Sequence, residues 1–153
     1  MIPEFKKLKD HEIKLMIEAP VLITILIATA DGNVEQKETD WGAKTIHFRA
    51  EDKESILQKY YDIVDKTDRH LFFTLMEKFP SGNDERINVI KGELSKLNAI
   101  FPKLEKDFAK ELYKSFITLS KQVAKATGGI WGYGSISQEE QKLIDLEMIH
   151  PVI

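Results

Sequence analysis

The chain changes character in the stretch Ile27-Ala28-Thr29-Ala30-Asp31-Gly32-Asn33-Val34-Glu35-Gln36-Lys37-Glu38, where an apolar run stops at an Asp-Gly pair and an acidic segment begins. Near the other end of the chain, residues 134–140 read Gly-Ser-Ile-Ser-Gln-Glu-Glu and repeat this outline. Three positions correspond in pairs: Gly32 with Gly134, Val34 with Ile136, and Glu38 with Glu140. The repeated outline predicts two helix–turn–helix halves, each of which presents carboxylates at a turn.

The apolar run before the first turn, Val21–Ile27, decides between an all-helical and a mixed fold. Its β-branched residues favour a strand, but periodicity alone does not separate a buried strand from a buried helix. We predict a helix, because the sequence has no second strand-like run with which a strand would pair its backbone groups. A short helix over residues 9–18 is predicted before it from an Asp10 cap, and Pro20 either ends that helix or opens the next.

The remaining apolar positions recur at helical spacing and predict six further helices. These cover Asn33 or Glu35 to about Ala50, Asp52 to Lys66, Asp68 to Phe79, Asp84 to Phe101, Pro102 to Ala126, and Ser137 to about Pro151. In the first of them, Trp41, Thr45 and Phe48 are predicted to face the core, with Ala43 and Ile46 beside them. Gly128-Gly129 predicts a helix stop, and residues 128–134 a flexible tether.

These elements predict an all-α fold: one domain over residues 1–153, built as a helical bundle of about seven or eight helices with two pseudo-repeated helix–turn–helix halves. Residues 1–14 are predicted to form a peripheral N-terminal extension. The composition, 42% hydrophobic and 31% charged, is typical of a soluble globular domain. The net charge of −3 gives no electrostatic reason to expect nucleic-acid binding.

The sequence also bears on compartment. No cysteine is present, which excludes disulfides and thiolate ligands. The N-terminus lacks the apolar region of a secretory signal. The longest apolar run, Val21–Ala30, reaches about half of the roughly 20 residues that a membrane helix needs. We therefore expect a cytoplasmic protein with no transmembrane segment.

The two acidic turns are the candidate site. The first resembles the second half of an EF-hand loop, in which hard oxygen ligands surround a hard cation. However, the first two ligand positions of such a loop would be Ile27 and Thr29, so an EF-hand is not predicted. The alternative is purely structural, because carboxylates early in a helix interact favourably with its dipole. If the two halves pack about a pseudo-twofold axis, the acidic turns meet on one face, and a divalent cation (Ca, Mg, Mn or Zn) would relieve their repulsion. The predicted metal ligands are Asp31, Glu35, Glu38, Glu139 and Glu140.

Two motifs carry a resemblance to a known family. They are Ala30-Asp31-Gly32-x-Val34-x-x-x-Glu38 and Gly128-Gly129-x-Trp131-Gly132-x-Gly134-Ser135-Ile136-Ser137-x-Glu139-Glu140-x-x-Leu143-x-Asp145. Together they make residues 15–149 similar to the TerB-like tellurite-resistance family, which includes the N-terminal domain of DjlA-type co-chaperones. The resemblance implies a helical repeat fold, an acidic metal-binding face with Asp31, Glu38 and Glu140 at the matching positions, and no catalytic mechanism. It also implies a stress-response role beside TerC-type membrane proteins and TerD-type calcium-binding proteins, peripheral to the inner membrane.

Other interpretations stay open. The acidic face of a metal-independent interaction module or a co-chaperone-like adaptor would dock a basic partner instead. An enzyme would use Asp31 or Glu38 as a general base, but no sequence feature indicates a raised pKa there. The four histidines lack the spacing of a zinc or di-iron site, although His47 lies within reach of the acidic face. The lysines of residues 91–125 indicate a solvated face, or a contact with anionic lipid headgroups or an acidic partner.

Overall fold

A computed structural model describes residues 2–30, 36–126 and 138–153, with the side chains of residues 36–38, 68 and 69 left out. Within these ranges every regular element is helical. The α-helices are α1 (Asp10–Ala30), α2 (Gln36–Glu51), α3 (Gln58–Lys78), α4 (Asn83–Ser95), α5 (Leu97–Ile100), α6 (Lys106–Ala126) and α7 (Gln138–Ile144), with 3-10 turns at Pro3–Phe5 and Phe101–Lys103. The predicted all-α helical bundle is therefore confirmed, and its pseudo-repeated halves remain a prediction.

The central helix is α1, which packs against α2, α3, α4, α6 and α7. The prediction that Pro20 separates two helices is wrong, because α1 continues through it. Proline has no N–H to bond the carbonyl of the residue four positions earlier, which here is Met16. The buried Tyr60 hydroxyl donates to that Met16 carbonyl at 2.5 Å and takes the place of the missing N–H. The helix therefore tolerates Pro20 because a tertiary contact satisfies the carbonyl that the proline leaves free.

The length and composition of α1 would allow it to cross a membrane, but 78% of its most apolar window is buried within the fold. Core helices of soluble proteins share both properties, so the predicted absence of a transmembrane segment stays a prediction.

The first turn of α1 is held by Glu12, not by the predicted Asp10 cap: Glu12 Oε1 accepts from the Lys9 N–H at 2.9 Å. The opposite oxygen, Oε2, binds Lys103 Nζ at 2.8 Å and so ties α1 to the segment before α6.

The predicted core face of α2 is correct for Ile46 and wrong for Trp41 and Phe48. Ile46 and Ala50 are buried, whereas Trp41 is 47% and Phe48 is 77% exposed. The reason is Gly42, which brings α2 so close to α1 that an added Cβ atom would lie 2.7 Å from Thr24 Oγ1 and Cγ2. The face that contains the glycine is therefore the contact face, and the larger aromatic side chains are turned away from it.

Residues 52–79 form one long helix after a turn, not the two predicted helices. Asp52 does not cap α3, which begins at Gln58, but accepts from the Glu54 N–H within the turn at 3.3 Å. Ile56, expected in the core, is 56% exposed in the same turn. From Gln58 to Lys78 the sequence contains no glycine or proline, so nothing in it interrupts the helix.

The predicted apolar stripes of α4 and α6 are confirmed. Both helices bury residues three or four apart, among them Ile90, Leu94, Leu112, Phe116, Leu119 and Val123. The one helix predicted from Asp84 to Phe101 is wrong, because α4 ends at Ser95, α5 starts at Leu97, and Phe101 begins a 3-10 turn. Pro102 lies in a 3-10 turn, and α6 starts at Lys106. The predicted stop at Gly128-Gly129 and the predicted tether of residues 128–134 lie outside the described residues, as does Ser137, at which the last predicted helix starts.

The last helix is shorter than predicted, because α7 ends at Ile144 and not near Pro151. The Glu147 N–H bonds the Lys142 carbonyl and the Leu146 N–H bonds the Leu143 carbonyl, the pattern of a Schellman turn. Such a turn needs a left-handed residue, and Leu146 takes that role at φ 50° although it is not glycine. Its side chain is fully buried, so core packing selects a leucine where backbone geometry favours glycine.

The first residues of the chain are not peripheral. Ile2, Phe5 and Leu8 are buried and belong to the same hydrophobic cluster as α1 and α6. The ring of Phe5 packs edge-on against Tyr60 at 6.3 Å between centroids. The segment before α1 therefore closes the core at the end of the bundle where α1 begins.

Candidate functional site

The directions of the helices decide which of the predicted ligands share an end of the bundle. Glu12 in the first turn of α1 binds Lys103 just before α6, so α1 and α6 run parallel. The α2 helix runs the opposite way, because Arg49 near its end bonds Ser115 and Thr45, a turn earlier, bonds Gln122. Consequently α1 and α6 end where α2 begins.

The last helix also runs against α6. The Ser120 hydroxyl donates to the Ile144 carbonyl at 2.7 Å, and residues 148–150 reach Asn98, which precedes the start of α6. The chain thus moves from the later part of α6 towards its beginning as it leaves α7. The first turn of α7 accordingly faces the end of the bundle at which α1 stops at Ala30, and we name this region the acidic end.

The five predicted ligands are described to different extents. Asp31 and Glu35 lie outside the described residues, and Glu38 is described only as backbone in the first turn of α2. Glu139 and Glu140 lie in the first turn of α7. The Glu139 side chain is 83% exposed and stands 3.7 Å from Lys142 Nζ, a weak surface ion pair.

The acidic end also carries a buried oxygen without a hydrogen-bond partner. Thr29 lies two residues before Asp31, and its hydroxyl is buried with no donor or acceptor within the described part of the chain. Buried polar groups are nearly always satisfied, so an orphaned hydroxyl beside a predicted cation site is unusual. Among the described residues alone, no group of three or more His, Asp or Glu side chains is arranged to hold a metal ion.

Glu139 also lines a groove of about 430 Å³ between α4 and α7. The groove contains both signs of charge, because Asp84 and Glu147 face Lys91 and Lys142. The carboxylates that line this groove are therefore partly compensated by lysines. The groove does not by itself point to one kind of ligand.

Sequence reasoning missed Arg49, which joins three helices. Its guanidinium donates to the Tyr61 hydroxyl at 2.8 Å, to the Ser115 carbonyl at 2.8 Å and to the Thr118 hydroxyl at 2.7 Å. It also lies 5.1 Å from the centroid of the Tyr61 ring, within the range of a cation–π contact. These partners lie on α3 and α6. Nothing in the sequence around a single arginine in α2 indicates such contacts. Arg49 therefore serves to join the helices.

His47 does not join the acidic end. Its Nδ1 lies 2.8 Å from Asp65 Oδ2 on α3, and its Nε2 lies 3.0 Å from Glu51 Oε1. The hydrogen bond to Asp65 and the charges of both carboxylates raise the pKa of His47 above its ordinary value. With each ring nitrogen facing a different carboxylate, the side chain is arranged as an imidazolium and not as a metal ligand.

Comparison of the chain with protein-family models, with curated proteins and with solved structures finds no match. The molecule is thus defined by its all-α bundle and its acidic end, and the resemblance to the TerB-like family rests on the two turn motifs.

Proposed function

We propose that this protein is a non-enzymatic, TerB-like stress-response domain that binds a divalent cation through its acidic end. The observation that carries the proposal is the direction of α7, which turns Glu139 and Glu140 towards the end where α1 stops one residue before Asp31. Glu139 and Glu140 thereby lie at the end of the fold at which the described part of α1 stops, and this supports a site shared with the first acidic turn.

Electrostatics gives the reason for a cation. Several carboxylates at one end repel each other, and a bound divalent ion removes that repulsion while it gains oxygen ligands. The Thr29 hydroxyl, which has no hydrogen-bond partner among the described residues, would supply a further oxygen close to the first turn. An all-oxygen set favours calcium, magnesium or manganese over zinc, which prefers nitrogen and sulfur ligands.

Calorimetric titration of metal-free protein with calcium, magnesium, manganese and zinc tests the proposal. We expect binding to the wild type and a loss of about tenfold or more in the Asp31→Asn/Glu38→Gln/Glu140→Gln variant, since each removed charged ligand weakens a hard cation site. A matched control, Glu54→Gln/Asp107→Asn/Glu111→Gln, removes three carboxylates at the other end and should bind as the wild type does. Absent binding, or equal binding in both variants, would contradict the proposal.

A metal-independent interaction module is the second candidate. The exposure of Glu139 favours it, because an exposed carboxylate with only one weak ion pair is available to a basic partner. TerC-like or TerD-like proteins, or the clients of a co-chaperone-like adaptor, are the partners that the family resemblance suggests. This candidate predicts partner capture that weakens with added salt and is unaffected by a chelator.

A further inference from the structure

A second concave site lies away from the acidic end, between the first half of α1, the end of α3 and the α4–α5 segment. The cavity has a volume of about 490 Å³, within the range of small-molecule sites. One part of its wall is apolar, formed by Leu15, Leu22, Leu75, Phe79 and Ile100, and charged side chains line much of the remainder. Such a wall is suited to the hydrocarbon part of a ligand.

One carboxylate in this cavity is buried and lacks a close partner. Glu18 is only 8% exposed, and no hydrogen bond to its carboxylate occurs within the described part of the chain. The nearest cation, Lys14 Nζ, lies 4.0 Å away on a side chain that is 70% exposed. Burial is the largest cause of the raised pKa of Glu18, because desolvation disfavours the charged form.

The other carboxylates around the cavity have partners. Glu12 bonds both Lys103 and the Lys9 N–H. Glu93 forms a 3.0 Å ion pair with Lys96. Glu18 is therefore the one acidic side chain here, among the described residues, whose charge is both buried and without a close ion pair.

We propose that this cavity binds a small organic amine, whose protonated nitrogen pairs with Glu18 and whose apolar body lies against the leucine and phenylalanine walls. Pairing with an ammonium group supplies the hydrogen bonds that the buried carboxylate lacks, and burial of the hydrocarbon part adds to the affinity. The proposal does not rest on the proposed function, since it uses no residue of the acidic end.

The charges at the rim do not favour an anion instead. Three lysines line the cavity: Lys14, Lys78 and Lys96. All three are exposed, with side-chain exposures of 70% for Lys14 and 64% for Lys96, so water screens their charges. A carboxylate ligand in the apolar part of the cavity would meet the buried Glu18 with the same sign of charge. The charges of Lys14 and Lys78 both act on Glu18. Lys14, whose Nζ lies 4.0 Å from the carboxylate, is the nearer competitor of the ligand.

Titration of the full chain with hexylamine, hexanol and hexanoate at neutral pH, followed by two-dimensional NMR, tests the assignment. These probes share one chain length and differ in the charge of the head group. We expect hexylamine to bind most tightly, with shifts centred on α1 and the end of α3. The Glu18→Gln variant should lose about tenfold in affinity for hexylamine, as expected for the loss of one charge-assisted pair.

Three further variants make the result specific. Glu93→Gln, which removes a carboxylate of the cavity that is already paired with Lys96, should weaken hexylamine binding less than Glu18→Gln does. Lys14→Met should tighten hexylamine binding, because it removes the competing cation. Ala99→Trp, at an exposed position beside the cavity, should block binding by occupying the space.

Loss of folding does not confuse the test, because Glu18→Gln removes a buried charge and should be at least as stable as the wild type at neutral pH. The proposal is overturned if hexanoate or hexanol binds as well as hexylamine, if no probe binds, or if Glu18→Gln leaves the affinity unchanged. Binding that persists in Ala99→Trp would place the ligand elsewhere and would overturn it equally.

Discussion

The helices α1 and α6 have the same length of 21 residues and run side by side in the same direction, yet their surroundings differ. The buried residues of α6 form one stripe, and its other face carries lysines together with Asp107 and Glu111. By contrast, α1 is buried on all sides between residues 19 and 29. The buried face of a one-sided helix can be predicted from the spacing of its own apolar residues. The burial of an enclosed helix depends on the helices that surround it. This difference can be tested.

Paired alanine substitutions in the two helices should give the largest effect. Ile23 and Ile25 of α1 point in nearly opposite directions and are both fully buried, so each alanine variant should cost about 2–5 kcal/mol of unfolding free energy. In α6, Phe116→Ala should cost about 3–5 kcal/mol, while Lys114→Ala, two residues away, should stay within about 0.5 kcal/mol. Urea unfolding of the four variants measures this. Equal losses of unfolding free energy in Phe116→Ala and Lys114→Ala, or an α1 variant without a loss, would contradict the difference between the two helices.

The contact between α1 and α2 gives the next largest effect. Gly42→Ala places a Cβ atom 2.7 Å from Thr24, and such overpacking costs about 1–3 kcal/mol. Adding Thr24→Ala should recover part of that loss, because it removes the two atoms that clash. Gly92→Ala in α4 is the matched control: a Cβ atom there meets nothing within 4 Å, so the variant should gain about 0.4–1 kcal/mol. If thermal unfolding shows that both glycine variants are destabilised to the same extent, a specific close approach between α1 and α2 is contradicted.

The proline in α1 allows a third test. Tyr60→Phe removes the hydroxyl that bonds the Met16 carbonyl and should cost about 1–3 kcal/mol, the penalty for an unsatisfied buried acceptor. Pro20→Ala restores a backbone N–H at the position that normally bonds that carbonyl. The loss caused by Tyr60→Phe should therefore be smaller when Pro20→Ala is already present. A double-mutant cycle measured by urea unfolding provides the value, and strict additivity would show that the two groups do not share the carbonyl.

The features that could be predicted from the sequence also differ between one-sided and enclosed helices. The stripes from Ile87 to Phe101 and from Leu104 to Val123 could be predicted, because each face follows from 3.6-residue spacing alone. The burial of Gly42 and the exposure of Trp41 could not, since the contact face of α2 is decided by a close approach to Thr24 on another helix. The continuity of α1 through Pro20 likewise depends on Tyr60, which lies 40 positions further along the chain.

The candidate sites show the same difference between features set by adjacent residues and features set by distant ones. Glu139 and Glu140 could be picked from a local motif, because an acidic first helical turn is a property of adjacent residues. Glu18 and Arg49 could not, because a single charge in an apolar or mixed helix has no local sign of what will enclose it. Their roles come from α3, α5 and α6, which reach them only in the folded chain.

The smallest effect is expected outside both helices, at the exposed contact between α2 and α3. His47 lies between Asp65 and Glu51, which raise its folded-state pKa above the unfolded value of about 6.5. A raised histidine pKa stabilises the fold fully below the unfolded pKa, and this contribution disappears as the pH rises through the folded pKa. The unfolding free energy of the wild type should therefore fall from about pH 6 to about pH 8.5 more than that of His47→Gln. His70→Gln, which replaces another exposed histidine of the same hairpin, is the control in urea unfolding at both pH values. Because His47 and its carboxylate partners are exposed, the difference in pH dependence between wild type and His47→Gln should shrink in high salt. A pH dependence that is identical in the two proteins would mean that the two carboxylates stabilise the fold without the imidazolium.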